Sequence, residues 1–517
     1  MYIHFPQNKI HSQVLTVPLT MAALNNSKHL HVLFLPFLAT GHLIPLVNAA
    51  RLFASRGVNV TILTTPHNAL LVQSSINNDV RISGHSISIH TIPFPSAKVG
   101  LPEGIESFSA ATSPEMPPKI FYGIFLLQKP MEDKIREISP DCIFSDMYFP
   151  WTVDIAEELK IPRILFNQSS YTYNSILHNL KVYKPHEQQL KLESNFHGTF
   201  LVPGLPDKIE FKLSQLTDDL RKAADDDRTS FDSLLDQVRD SEGRSYSIVH
   251  DTFYELEPAY ADYYQKIKKT KCWHIGPISH FSSKIRREEL IADVVTAGNS
   301  SRDDAVEWLN NQKPKSVLYV SFGTLVRFPE DQISGIAKAL ESSSVPFIWV
   351  VRKDTWLPDG FEERAAKSKK GLMISGWAPQ LTILDHSAIG GFMTHCGWNS
   401  VLEAIASGVP MITWPLCSEQ FYNEKLVEVV GLGVKVGTEI WNPGLEISCP
   451  VVGCGKIKEA IEGLMTTDSE ESLKIREKAN AMANLAKNAT EEGGSSWNSL
   501  TTLIDDIRNF NLSPTMA

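Results

Sequence analysis

Residues Trp377–Gln420 read WAPQLTILDHSAIGGFMTHCGWNSVLEAIASGVPMITWPLCSEQ. Inside this stretch Ile389–Thr394 is a short apolar run of strand type, and His395-Cys396-Gly397 breaks it. Trp398–Ala406 then shows helical apolar spacing and Gly408 stops it, after which Val409–Trp414 reads as a second strand. The pattern is strand, tight turn, helix, strand. Its turn sets His395, Asn399 and Ser400 at a helix start, where free backbone N–H groups and the positive dipole end attract anions, phosphate above all. Glu403 lies on the same helix face as Asn399 and Ser400, placed to accept hydrogen bonds from a diol. Trp377 and Trp398 offer flat faces for a base and a sugar, and Glu419 and Gln420 close the exit of the second strand. Taken singly, each piece also has a structural reading: a glycine before a helix makes a turn, and a tryptophan beside strands fills a core.

The same alternation extends outward. His31–Pro36 reads as a buried strand, Leu43–Ser55 as a helix stopped by Gly57, and Val58–Thr64 as the next strand, a βαβ unit that demands a parallel sheet. Strands follow at Ser86–Ile92, Cys142–Ser145, Arg163–Phe166 and Ser247–Asp251, with a helix at Val153–Leu159, and Trp273–Pro277 ends the pattern. It restarts at Ser316–Ser321, where Gly323-Thr324 turns into a helix reaching Leu340, and continues through Phe347–Val351 and Met373-Ile374 into the opening stretch. Two α/β halves predict two facing, doubly wound, Rossmann-like domains with ligand in the cleft. The expected division is 1–28, a disordered extension; 29–277, the first domain; 278–304, a charged linker; 305–490, the second domain; and 491–517, a last helix with its tail.

In the first half the turn Phe37–Pro45 puts His42 where a strand ends and a helix begins, the ligand side of an open α/β sheet. A helix N-terminus disfavours the imidazolium, so a neutral ring able to take a proton is expected there. The strand Asp141–Asp146 ends in a carboxylate at the equivalent edge. Asp146 is then either a helix cap for the Met147–Pro150 turn or the group that orients His42 and supports its charged form.

With 43% hydrophobic and 21% charged residues the chain has the composition of a globular enzyme. A net charge of −10 argues against a general nucleic-acid partner. Six cysteines without paired zinc spacing read as free thiols of a reducing, cytoplasmic compartment, with Cys449 and Cys454 in a Pro/Gly-rich loop. No apolar run has the length of a membrane helix, and residues 1–20 make a poor signal peptide. Rival chemistries fare worse. Asp225-Asp226-Asp227 has the letters of a metal-binding DxD but sits in a hydrophilic stretch, where a solvated acidic loop is the better reading. Gly431–Gly437 resembles a dinucleotide loop in reverse order, helix before strand, so a nicotinamide oxidoreductase is disfavoured and Gly431 reads as a helix C-cap. A non-catalytic nucleotide-sugar binder would be expected to lack His42 or Asp146.

WAPQ, HCGWNS, GVP and the closing E-Q resemble, almost letter for letter, the signature box of the plant secondary-product UDP-glycosyltransferases. PFLATGHLIP resembles the segment bearing that family's catalytic histidine, and SDMYFPW the one bearing its paired aspartate. RLFASRGVNVTILTTPHNA and VGLPEGIESF point to the branch of triterpenoid-saponin and isoflavonoid enzymes. The resemblance implies a GT-B fold, a last helix returning to the first domain, and inverting transfer from a UDP-sugar without metal or other cofactor. It implies uracil on Trp377 and the Ala378 backbone and ribose on Gln380 and Glu403, while the helix start itself leads to the expectation of diphosphate on His395, Asn399 and Ser400, with Thr324 from the opposite turn. Glucose would lie on Trp398, Glu419 and Gln420. The closing Gln favours UDP-glucose over UDP-galactose; UDP-glucuronate is a further alternative. Expected partners are the UDP-sugar and a lipophilic small-molecule hydroxyl or carboxyl acceptor, first a triterpenoid and second an isoflavonoid or flavonoid, bound by a monomer. The acceptor pocket is expected around Lys98–Glu106, Phe149–Trp151 and Asn167–Tyr173.

Overall fold

The computed structural model describes residues 29–113, 115–192, 198–221, 230–280, 300–444, 446–466 and 469–512. The first sheet contains β1 (His31–Leu35), β2 (Asn59–Thr64), β3 (Ile87–Thr91), β4 (Cys142–Asp146) and β5 (Arg163–Asn167). A separate antiparallel pair, β6 (Thr199–Leu201) and β7 (Glu210–Lys212), interrupts it before β8 (Ser247–His250) and β9 (Lys271–His274) complete it. The second sheet is built from β10 (Val317–Ser321), β11 (Phe347–Val351), β12 (Gly371–Ser375), β13 (Ile389–Thr394), β14 (Met411–Thr413) and β15 (Gly433–Lys435). The spatial orders are β3-β2-β1-β4-β5-β8-β9 and β12-β11-β10-β13-β14-β15, and neighbouring strands are parallel in both. Unbroken apolar strands such as VLYVS in β10, buried at every residue, demand helices on both faces, and they have them.

Strand order fixes where chemistry belongs. The winding reverses between β1 and β4 in the first sheet and between β10 and β13 in the second. At such a reversal the flanking connections leave in opposite directions and open a crevice at the strands' carboxyl ends. β1 leads into α1 (Thr40–Ala54) and so to His42, while β4 ends on Asp146. β10 leads to Gly323, and β13 to His395 and the helix behind it.

The other helices used below are α2 (Tyr171–Tyr183), α3 (Ser230–Arg244), α4 (Glu330–Ser342), α5 (Trp398–Ala406), α6 (Gln420–Val430), α7 (Glu470–Thr490) and α8 (Ser495–Leu512). α8 returns to the first sheet, where Leu500, Leu503, Ile504 and Ile507 share one core with Val32, Phe34 and Phe144. Burying each such side chain is worth about 1.5–3 kcal/mol. The Arg56 guanidinium stacks 3.3 Å above the Trp497 ring and adds a cation–π anchor to that contact.

Trp273-His274 ends the first pattern inside β9, its edge strand. Three expectations are corrected. The helix after Gly323-Thr324 starts only at Glu330, with Pro329 at its N-cap, so Thr324 sits in an exposed turn rather than at a helix start. Cys454 opens a helix, Cys454–Met465, in place of a loop. Residues 300–304, assigned to the linker, begin the helix Ser300–Asn310. Residues 1–28, most of the linker (281–299) and Asp225-Asp226-Asp227 lie outside the described residues. Gly431 is the left-handed C-cap of α6, at φ 75°.

Candidate active site

The His42 Nδ1 atom lies 2.8 Å from Asp146 Oδ2. Asp146 is fully buried, whereas the His42 side chain keeps 27% of its surface. Asp146 Oδ1 accepts the Tyr148 amide at 3.0 Å, so both carboxylate oxygens are held. Gln168 donates to the His42 carbonyl at 2.9 Å and to Asp146 Oδ2 at 3.4 Å, tying the two residues from β5's exit. Phe37 and Tyr148 flank the imidazole at ring-centroid distances of 5.6 and 5.3 Å. Among the described residues His42 Nε2 has no protein partner. The geometry is that of a base whose far nitrogen is fixed by a carboxylate.

Burial pushes the His42 pKa down, but the charge and hydrogen bond of Asp146, with help from Glu419, outweigh it and raise it above 6.5. The expected bias from the helix start toward a neutral ring is therefore corrected: a buried carboxylate in direct contact dominates a dipole end that other groups share.

Opposite, α5 begins at Gly397, which offers no side-chain cap, so its first amides are left to the cleft apart from that of Trp398, which reaches Glu419 Oε1 at 3.4 Å. His395 lies beside them. A Cβ on Gly323 would meet its Nε2 at 2.8 Å and one on Gly397 would meet it at 2.7 Å, so two glycines make room for this ring. Gly323 also holds φ 75°, a conformation that disfavours any side chain. Desolvation pushes the His395 pKa down to about 4, which leaves the ring neutral, and its buried Nδ1 has no partner. Gln380 donates to Ser400 Oγ at 3.0 Å and to Glu403 Oε2 at 2.7 Å, while its own oxygen accepts from the Tyr319 hydroxyl at 3.2 Å. Trp377 is 63% exposed, an unusual fraction for so large an apolar ring, and Ala378 beside it is buried.

The two halves meet here. Asn399 Nδ2 donates to the Gly41 carbonyl at 2.7 Å across the cleft. That carbonyl is free for a reason written in the sequence. Four residues on stands Pro45, inside α1, which has no N–H to return. The His42 turn is thereby set against the start of α5.

Three expected roles are altered. Trp398 is 3% exposed and its indole donates to the Asp251 carbonyl at 2.8 Å, so its ring fills the core and only its backbone faces the site. The Asn399 amide is engaged with Gly41 rather than open to an anion. Gln420 uses its oxygen to accept the Leu416 and Cys417 amides at 2.9 and 3.0 Å, bracing the loop it was expected to line. Glu419 accepts weakly from the Trp398 amide (3.4 Å) and from Asn423 (3.3 Å).

A cavity of about 790 Å³ lies on Tyr148, the ring that flanks His42, with Phe108, Tyr148, Tyr173, Tyr422, Trp441 and Glu419 in its lining. Of the three segments expected to form it, Asn167–Tyr173 contributes, while Lys98–Glu106 and Phe149–Trp151 do not. Phe149 is 1% exposed and belongs to the core. The missing wall comes from α3 and from Tyr422 and Trp441 of the second lobe, residues distant in sequence from the expected segments and united only by the cleft.

A family model, UDP-glucoronosyl and UDP-glucosyl transferase, matches residues 265–443. The chain is 67% identical to solanidine UDP-glucose glucosyltransferase 1 of Solanum tuberosum, over 95% of this chain and 100% of that one. It is 68% identical to nuatigenin 3-beta-glucosyltransferase of Solanum aculeatissimum, over 94% and 98%. Among solved structures, Glycyrrhiza uralensis UGT73P12 complexed with glycyrrhetinic acid 3-O-monoglucuronide matches with a TM-score of 0.86 and 40% identity, over 94% of this chain and 97% of that one.

Proposed function

Since the chain belongs to the UDP-glucuronosyl and UDP-glucosyl transferase family and has its GT-B fold, we propose that it glucosylates a hydroxyl of a steroidal sapogenin, with UDP-glucose as donor. The single observation that carries the reaction is the His42–Asp146 pair facing the uncapped start of α5 across one cleft. His42 Nε2 takes the proton of the acceptor hydroxyl as the oxygen attacks the anomeric carbon and the bond to the UDP oxygen breaks, inverting that centre. Asp146 supports the imidazolium. General-base help of this kind is worth roughly 10²–10⁴-fold.

The departing diphosphate is received by the α5 amides, His395 and Ser400, with Thr324 from the opposite turn. Uracil stacks on exposed Trp377, and the ribose diol meets Glu403, which Gln380 orients. Glu419 and Gln420 remain the sugar's side-chain partners, the latter through its amide nitrogen, since its oxygen serves the loop. The diphosphate charge is met by the helix terminus, so the reading takes no metal or other cofactor. Both half-sites come from one chain, which supports action as a monomer, and six free cysteines support a reducing, cytoplasmic setting. Among the described residues no helix is long and apolar enough to cross a membrane.

The acceptor class rests on the two Solanum relatives, whose names put solanidine and nuatigenin ahead of the triterpenoid and isoflavonoid expected from sequence. A cavity of about 790 Å³ with aromatic walls admits a rigid polycyclic alcohol. The test is an assay with radiolabelled UDP-glucose on steroidal, triterpenoid and isoflavonoid aglycones, with product regiochemistry by NMR. Steroidal aglycones are expected to give the highest kcat/KM, and a clear preference for flavonoids overturns the assignment.

One donor-side prediction follows from the packing around His395. Gly323→Val forces a β-branched side chain into φ 75° and against the imidazole. UDP binding measured by calorimetry is expected to weaken roughly tenfold or more, as for loss of a hydrogen bond to a charged group. Unchanged affinity removes His395 from the diphosphate site.

A further inference from the structure

Tyr173 on α2 and Tyr422 on α6 come from different lobes and meet edge to face, ring centroids 5.3 Å apart, in the wall of the acceptor cavity. The Tyr422 side chain is 1% exposed, yet its hydroxyl has no hydrogen-bond partner. The neighbouring Thr217 hydroxyl donates to Asp219 Oδ1 at 2.5 Å, and its oxygen makes only a loose contact with the Tyr422 hydroxyl. Among the described residues the Tyr173 hydroxyl has no partner either; its residue bonds only through its backbone amide, to Ser170. Leaving a buried hydroxyl unmatched costs about 1–3 kcal/mol, and the Tyr422 hydroxyl is such a group, with half-buried Tyr173 beside it in a wall that mixes apolar rings with polar and charged side chains. Burial and the nearby carboxylate of Asp219 push both phenols further from ionising, and Glu419 adds to the effect at Tyr173. They therefore remain O–H donors.

We propose that Tyr173 and Tyr422 form a donor pair that reads an oxygen of the acceptor other than the hydroxyl being glucosylated. This rests on the acceptor reading above and narrows it: the substrate is a rigid lipophilic alcohol that also carries a ketone, ether or second hydroxyl oxygen. The reacting hydroxyl is not their target, because its proton goes to His42. An apolar wall alone gains little by distinguishing such an acceptor from its deoxygenated analogue. A buried donor discriminates, because the analogue leaves it unmatched. The pair also spans the lobes, so a matched acceptor joins them at a point separate from the Asn399–Gly41 contact.

The test compares two steroid alcohols of one skeleton, epiandrosterone, whose ketone only accepts, and androstanol, which lacks it. Both are assayed as acceptors and as ligands, KM from initial rates and Kd from tryptophan fluorescence, on wild type, Tyr422→Phe and Tyr173→Phe. Phenylalanine keeps each ring and its packing. Wild type is expected to favour epiandrosterone, and either variant to raise its KM and Kd roughly three- to tenfold while leaving androstanol, kcat and the KM for UDP-glucose unchanged. Equal effects on both steroids, or none on either, overturn the donor pair and leave glucosyl transfer standing. A wild type that binds neither steroid overturns both readings, whereas one that binds them with the expected selectivity but transfers no glucose overturns the reaction alone.

Discussion

His42→Ala is expected to cut kcat for hydroxyl acceptors by a hundredfold or more, with the Kd for UDP changing less than about twofold. The two halves of this expectation come from different lobes. The proton acceptor hangs on the first, at the β1–α1 turn, and the groups proposed for the diphosphate hang on the second. Alanine removes the imidazole and nothing that touches the donor. Asp146 is left fully buried without its cation partner, so thermal stability falls as well, and activity is therefore read at a temperature well below the variant's Tm. Two further readouts separate chemistry from damage. Added imidazole should restore part of the rate, because the space vacated beside Asp146 accepts it. A carboxylic acid acceptor, already ionised at neutral pH, should lose far less than a hydroxyl acceptor. Turnover on a hydroxyl acceptor equal to wild type would remove His42 from the mechanism.

Much of this site was legible in the sequence because its parts sit at strand ends. β13, the turn His395–Gly397 and α5 are contiguous, and their periodicities switch cleanly from strand to helix. The same holds for β1 and α1. Parallel βαβ units then leave few ways to arrange the sheets, and the winding reversals put His42, Asp146, Gly323 and His395 at one crevice. What was not legible depends on contacts between distant segments. Nothing local tells that Trp398 faces Asp251 rather than ligand, or that Asn399 finds the carbonyl released by Pro45. Gln168 has no motif, yet it bridges His42 and Asp146. Most of the acceptor wall escapes for the same reason: Tyr148, Tyr422 and Trp441 join the expected Tyr173 by two lobes closing, not by spacing. One signal was available and unused, a proline four residues after a glycine in a helix that carries the base.

The Asp146→Asn enzyme should lose roughly 10²–10⁴-fold in kcat, and its pH–rate profile should move in a set direction. In wild type, burial alone would lower the His42 pKa, and the Asp146 charge and hydrogen bond, with Glu419, reverse the sign and raise it above 6.5. The base form therefore grows in as pH rises through that raised value, and kcat/KM climbs with it. Asparagine removes the two Asp146 contributions and leaves burial, so the acid limb shifts to lower pH. More of the enzyme holds a neutral ring at pH 6, and still it is slower. The reason lies in which nitrogen carries the proton. An Asn amide that donates to Nδ1 puts the ring's proton on Nε2, the atom that must accept from the substrate, and no carboxylate stabilises the imidazolium when it forms. Stability carries the opposite sign. The raised His42 pKa contributes stability fully present below pH 6.5 and lost as pH rises through the folded value, so the variant's deficit from this pair is greatest in acid. Thermal unfolding of both proteins across pH 5 to 8 measures that deficit, and initial rates over the same range locate the limb. A limb that stays in place, or moves up, would show that Asp146 does not govern the protonation of His42.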